Sequence, residues 1–475
     1  MTEKGNKAKR ILCGLALSCA GIFQCPALHA QTIPPSSAAA STSSPSPPQT
    51  CDSQAARGKV AWAQTQHVWL ASLFHNESAD TKQTWCSIWE THGYDRVHKT
   101  EDFGRVFFTG EGLHPALGSI VPGSGFAGGL GLTLDRALQS KPLRFAANIE
   151  ARGTASGFWE AGGKLHIVGS SATDDNRHIN ATLFAQHRSL PELTYFGLGD
   201  SSSVVNQSVY GLEDTSGGGT ISVPLPIGFT ISGSVGGLHT DPEDFHGSPI
   251  PSIEQIFNPS NTPALSTSTT YIVSGAGIEW IHPVDECLHC WYRTDVATDF
   301  EVFHETGGAP YSFRRLHVNW TQTWHPFPDA THDLGTISIV SRLVESFAPA
   351  GNSVPFYLQP TIGGTDIDNY DAIRSYRDYR FRAPNALTFQ GEYTRPIYDP
   401  LGFLFFYDVG KVALTRSDLD ISHMRHSFGV GLTLKIGGAT LFKFYYAWAG
   451  REGTHTNYTG NTNNFAGENA AAGVF

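Results

Sequence analysis

The chain has 475 residues, a net charge of −11, 16% charged and 12% aromatic side chains, and 50 glycines. So acidic a balance excludes a partner recognised through phosphates, since nucleic acid wants a basic surface. Only the N-terminus carries an apolar run approaching the roughly 18 residues of a membrane helix, so any further crossing must be made by strands. A charged fraction this far below the roughly 25% of soluble domains favours one large β-barrel over several globular domains.

Lys4, Lys7, Lys9 and Arg10 precede the apolar run Ile11 to Phe23 and small residues ending at Ala30. That order is an export signal, residues 1–30, cut after Ala30. Neither Cys19 nor Cys25 sits in a good lipobox. Export to the periplasm also permits disulfides. Residues 31–50 are almost all Ser, Ala, Thr and Pro, a composition that buries no core and reads as a disordered linker. Residues 51–110 form a small N-terminal periplasmic segment with a helix expected over Ala61 to Phe74. Cys51 and Cys86 are candidates for a disulfide that would staple it, the alternative being two unpaired thiols.

From residue 111 to 475 the pattern is that of a barrel, with alternation becoming clear near Pro122. Phe145, Ala147, Ile149 and Ala151 share one face against Arg144, Asn148, Glu150 and Arg152. Tyr292, Thr294, Val296, Thr298, Phe300 and Val302 oppose Arg293, Asp295, Asp299 and Glu301. Leu316, Val318, Trp320 and Trp324 oppose Arg315, His317, Asn319 and His325. Alternation alone also fits a secreted sandwich. Three features favour a transmembrane antiparallel β-barrel of 14–16 strands. The runs exceed the five or six residues usual in soluble sheets. Trp280, Trp291, Trp324 and Trp448 sit near strand ends, as interfacial girdles do. The stripes Phe428–Val430–Leu432–Leu434–Ile436 and Phe442–Phe444–Tyr446–Trp448 need an apolar cover that lipid supplies. About ten strands are expected before Arg374 and four or five after it. Asn457 to Gly473 makes a poor strand, leaving the closing strand open between Asn463–Ala466 and a start near Ala470.

Two motifs stand out between residues 360 and 450: Ile373-Arg374-Ser375-Tyr376, after Gly363-Gly364, and Phe406-x-Asp408-x-Gly410. They resemble the loop and strand motifs in the C-terminal core of the Omp85 family, the bacterial surface antigen D15 proteins, and Tyr195–Asp200 resembles a turn of the same family. Ser375 stands where the family pattern has glycine. The resemblance implies a non-enzymatic outer-membrane barrel that inserts or translocates client proteins. Its loop would fold into the lumen, with Arg374 and Tyr376 anchoring it against Glu392 and Asp408, and Gly363, Gly364 and Gly410 as motif glycines. Parity agrees: Thr388, Gln390, Glu392 and Thr394 share a face, and Asp408 opposes Phe403, Phe405, Tyr407 and Val409. The family's periplasmic POTRA domains have no counterpart in the short 51–110 segment. A porin-like channel for small solutes is the alternative.

Cys287-Leu288-His289-Cys290 falls between two strands. A hairpin clipped by a local disulfide is the expectation there, with zinc the weaker alternative, because a single CxxC is a sparse metal signature. There is no Gly-x-Ser-x-Gly elbow and no phosphate loop. No catalytic residue, metal or cofactor is therefore expected, and the partners are outer-membrane lipids and client proteins.

Overall fold

Period-two alternation commits a segment to a strand with unlike faces, and the computed structural model places the runs named above, as far as it describes them, in strands. It describes residues 112–137, 142–169, 178–245, 248–283, 291–326, 328–329, 332–333, 335–368, 370–398, 401–436, 439–449 and 453–460. The first strands are β1 (Gly112–Gly118), β2 (Ala127–Ala137), β3 (Arg144–Thr154), β4 (Trp159–Val168) and β5 (Asn180–Tyr195). Then come β6 (Ser208–Pro224), β7 (Phe229–Glu243), β8 (Thr269–His282), β9 (Tyr292–Glu305) and β10 (Phe313–Trp324). The two-residue strands β11 (Pro328–Asp329) and β12 (His332–Asp333) precede β13 (Thr336–Phe347). Another short pair, β14 (Thr361–Ile362) and β15 (Phe381–Arg382), closes the neck of a long loop. Last come β16 (Asn385–Tyr398), β17 (Leu401–Ala413), β18 (Arg425–Ile436), β19 (Ala439–Ala449) and β20 (Gly453–Gly460).

Leaving out the two short ladders, sixteen strands form one sheet in chain order, and the ladders between neighbours are antiparallel. That count lies within the expected 14–16, and five of the strands follow the Arg374 loop. No ladder joins β1 to β20 among the described residues. The long connections, 244–268 and 348–384, lie at one end of the strands, here called the loop end. The connection 225–228 lies at the other end.

The sheet curls around its longest loop. Tyr379 Oη donates to the carbonyl of Pro122 at 3.3 Å, just before β2. Arg382 donates to Tyr210 Oη on β6 at 3.2 Å. The Tyr357 and Thr269 hydroxyls meet at 3.0 Å on β8, and Arg374 pairs with Asp408 on β17. In a flat sheet β2 and β17 would lie about 50 Å apart at ~4.8 Å per strand step. One loop reaches both only if the strands form a barrel wall around it.

The two faces separate by polarity. Outward-facing large apolar residues are exposed along the wall, among them Leu130, Ile149, Leu183, Ile221, Val235, Ile272, Phe405, Val430 and Phe444. Facing inward are Asp214, Glu301, Arg315, Thr388 and Asp408, all buried. This is the reverse of a water-soluble sheet, and the outward belt fits hydrocarbon. Aromatic rings mark both margins: Trp280 stacks on Phe229 and neighbours His282 at one end, and Trp448 stacks on Phe428 at 5.4 Å at the other. Among the described residues no helix is long and apolar enough to cross a membrane, which says nothing of strands. At the loop end Tyr195, Tyr210, Phe356, Tyr357, Leu190 and Leu265 form an apolar core between wall and loops.

Two boundaries differ from the sequence reading. The first described strand, β1, lies before Pro122; Pro115 interrupts its alternation and is tolerated at the edge of the sheet, where β1 pairs only with β2 among the described residues. The last, β20, takes in Asn457 to Gly460 from the stretch read as a poor strand, paired with Tyr445 to Phe442 of β19. The candidate closing strands at Asn463–Ala466 and Ala470 lie outside the described residues, as do residues 1–111 and Cys51, Cys86, Cys287 and Cys290.

Candidate functional site

The long loop returns on itself at Gly363-Gly364, where both glycines have left-handed backbones, φ 107° and 61°. A Cβ at Gly363 would lie 2.6 Å from Arg380 Cβ, and one at Gly364 2.8 Å from the backbone of Asp378. Any side chain there would push the two arms of the loop apart. The Ser375 departure has a simple resolution. Ser375 is not among the left-handed residues; Ile373, φ 49°, takes that conformation instead. This is costly for a β-branched residue and is held by packing, since Ile373 is fully buried. Gly410 on β17 makes room for it: a Cβ there would come 3.3 Å from Ile373 Cδ1 and 3.1 Å from Thr388 Cγ2.

That turn aims Arg374 at the wall. Its Nε and Nη2 donate to the two oxygens of Asp408 at 3.0 and 2.8 Å, and its backbone N–H donates to Asp408 Oδ2 at 3.1 Å. Nη1 donates to Glu392 Oε2 on β16 at 2.7 Å. Lys443 on β19 donates to the other oxygen, Glu392 Oε1, at 2.8 Å. The guanidinium lies 3.6 Å above the Phe406 ring, which in turn meets Tyr445 edge-on. Arg374 is 3% exposed and Asp408 0%. Two cations and two carboxylates thus meet, Arg374 and Asp408 dry and Glu392 and Lys443 partly open to water. Burial alone would lower the affinity of Arg374 for its proton, but the charge and hydrogen bonds of Asp408, then the charge of Glu392, raise it. Arg374 is permanently charged and can act as a clamp, not as an acid.

The expected residues do not all fall into one cluster. Arg374, Glu392 and Asp408 meet. Tyr376 lies beside them in an apolar group with Ile362, Ile373 and Phe381, edge-on to the Phe381 ring at 5.2 Å. Phe406, Asp408 and Gly410 share the inward face of β17. Of the other loop arginines, Arg377 is exposed and reaches Gln207 at 2.7 Å. Arg380 is buried between the Phe196 and Phe381 rings and donates to the Ser202 hydroxyl and carbonyl.

Three features were missed. Lys443 was visible as an inward residue between Phe442 and Phe444, yet its partner three strands earlier in the chain was not. Ser427 on β18 accepts the backbone N–H of Ser375 at 2.9 Å, a contact with no sequence signal. A second hold lies at the loop tip: Arg342 on β13 donates to Asp366 at 3.3 Å and stacks on Tyr370 at 4.5 Å. Burial, then the neighbouring Asp368, pushes Asp366 up to about 7. Burial also raises Asp371, which accepts from Thr365 Oγ1 at 2.6 Å. The Tyr195–Asp200 turn joins the same assembly, with Gly199 N–H donating to the Arg382 carbonyl at 2.7 Å and Arg425 pairing with Asp200 at 3.2 Å.

No protein-family model matches the chain, and no curated protein matches it in sequence. Solved structures with a similar course of strands exist at low identity. BamA from Haemophilus ducreyi lacking POTRA domains 1–3 is 13% identical, over 73% of this chain and 69% of that one, with a TM-score of 0.48. CdiB from Acinetobacter baumannii is 10% identical over 73% of this chain and 58% of that one, with a TM-score of 0.44. CdiB from Escherichia coli is 9% identical over 72% and 61%, with a TM-score of 0.41.

Proposed function

We propose that this chain is an outer-membrane barrel of the Omp85 type that inserts or translocates client proteins without enzymatic chemistry. The observation that carries the reading is the buried clamp of Arg374 on Asp408 and Glu392, which seats a loop inside the wall. A buried clamp that holds a permanent charge suits control of a passage or of the wall's assembly. Lipids cover the outward belt, and clients would pass beneath or beside the loop.

The test is reconstitution into vesicles, with client insertion and ion conductance measured for the parent and for Arg374→Ala. Loss of insertion, with conductance rising as the loop leaves the lumen, supports the reading. A variant that folds, inserts clients and conducts like the parent removes the loop from the mechanism. A porin-like channel is favoured by the charged inner rows, where Asp299 pairs across strands with His317, and Glu301 with Arg315. Solute flux without client insertion would select it. Recovery of the protein in the soluble periplasm without detergent would sink both.

A further inference from the structure

The clamp reaches farther along the wall than the loop itself. Glu392 pairs across strands with Phe406, Phe406 with Gly429, and Gly429 with Ala447, so β16 and β19 are three strand steps apart. That is about 14 Å of wall at ~4.8 Å per step, yet Lys443 on β19 donates directly to Glu392. The span is open because the inward face of β18 is low. A Cβ at Gly429 would lie 2.5 Å from the Phe406 ring, and one at Gly431 2.9 Å from Tyr445 Cβ. Over this glycine floor Phe406 and Tyr445 lie edge to face, with Arg374 on top. The loop thus touches β17 through Asp408, β18 through Ser427, β16 through Glu392, and β19 through the Tyr445 ring and Ala449, while the carboxylate that Lys443 shares with Arg374 is its polar link to that strand.

We propose that Lys443 is a positioning residue that couples the seat of the loop to the C-terminal strand pair β19–β20, so that releasing the loop loosens those strands. This rests on the reading of Arg374 as the loop's anchor. Glu392 is the hinge of the coupling. With both cations bound its two oxygens are each satisfied. Without Lys443 one oxygen loses its partner in a partly dehydrated site, and Arg374 then faces two carboxylates with no second cation. The backbone ladder carries the effect onward, because Lys443 is registered with Thr459 of β20.

Amide hydrogen exchange of β19–β20, with β5–β6 as internal reference, tests this in detergent micelles, alongside limited proteolysis of residues 363–382. Lys443→Met should speed exchange in β19–β20 by about fivefold or more, as the coupling of contacting pairs implies, and leave β5–β6 unchanged. Lys443→Arg should restore the parent pattern. In an Arg374→Ala background, where Lys443 is the one cation left to Glu392, Lys443→Met should speed exchange more than it does in the parent. The proposal is overturned if Lys443→Met leaves β19–β20 at the parent rate, or if its effect is the same with and without Arg374. If instead Arg374→Ala leaves the loop protected from protease, it is the anchor reading that fails, so the two failures are separable.

Discussion

Removing Arg374 tests the clamp most directly. The guanidinium and Asp408 are almost fully buried and joined by two side-chain hydrogen bonds, and a third carboxylate contact runs to Glu392. Arg374→Ala strands Asp408, which is 0% exposed, with only the backbone N–H of residue 374 to answer it. Breaking one side of a buried pair costs about 3–5 kcal/mol, and the lost stacking on Phe406 belongs to the upper end of that range. Asp408→Ala should cost a similar amount by stranding the guanidinium. The double variant removes both charges and leaves Glu392 paired with Lys443, so its cost should be close to that of one single variant and far below their sum. Urea unfolding in micelles, followed by gel mobility, gives the three values. Additive costs, or a loss under about 1 kcal/mol for Arg374→Ala, would refute a desolvated, mutually dependent pair.

Gly410→Ala should lift Ile373 and loosen the loop by about 1–3 kcal/mol, the usual cost of overpacking, seen as faster proteolysis at residues 363–382. Val430→Arg tests the lipid face. On β18 it should cost about 2–4 kcal/mol in a bilayer, whereas a water-facing position would tolerate it, so a neutral result in vesicles would count against a membrane barrel. The loop tip should respond to pH. Because the seated loop raises Asp366 to about 7, it binds that proton more tightly than a free chain does. The contribution is full below the ordinary carboxylate range and is lost as pH rises through about 7. Loop protection should therefore fall between pH 5 and 8, and Asp366→Asn should flatten the profile; a steeper profile in that variant would reverse the assignment.

Parity was legible from the chain. Asp408 and Phe406 on one face, Phe405 and Tyr407 on the other, follow from period two, and the ladders keep it. So were the aromatic margins at Trp280 and Trp448. What depends on curvature was not. Arg380 meets Ser202 and Tyr357 meets Thr269 because the wall turns back on itself, and no local pattern records a contact over such a separation. Backbone substitution was hidden too: with serine at 375, the left-handed residue is Ile373, whose side chain gives no hint of it. Pro115 concealed β1 because its neighbours carry no alternation around it.

The position of the loop in the chain has a kinetic consequence. It leaves β13 and enters β16, so eleven strands of the wall precede it and five follow. The partners of Arg374 and Ser375, namely Glu392, Asp408, Ser427 and, through Glu392, Lys443, all belong to those five, whereas Arg342, Tyr210 and Thr269, which hold other parts of the loop, precede it. While the chain is being inserted, the loop can grip the earlier strands, but Arg374 has no partner until the last third of the wall arrives. The last strands and the Arg374 clamp must therefore form together, each strand that is added supplying another partner for the loop.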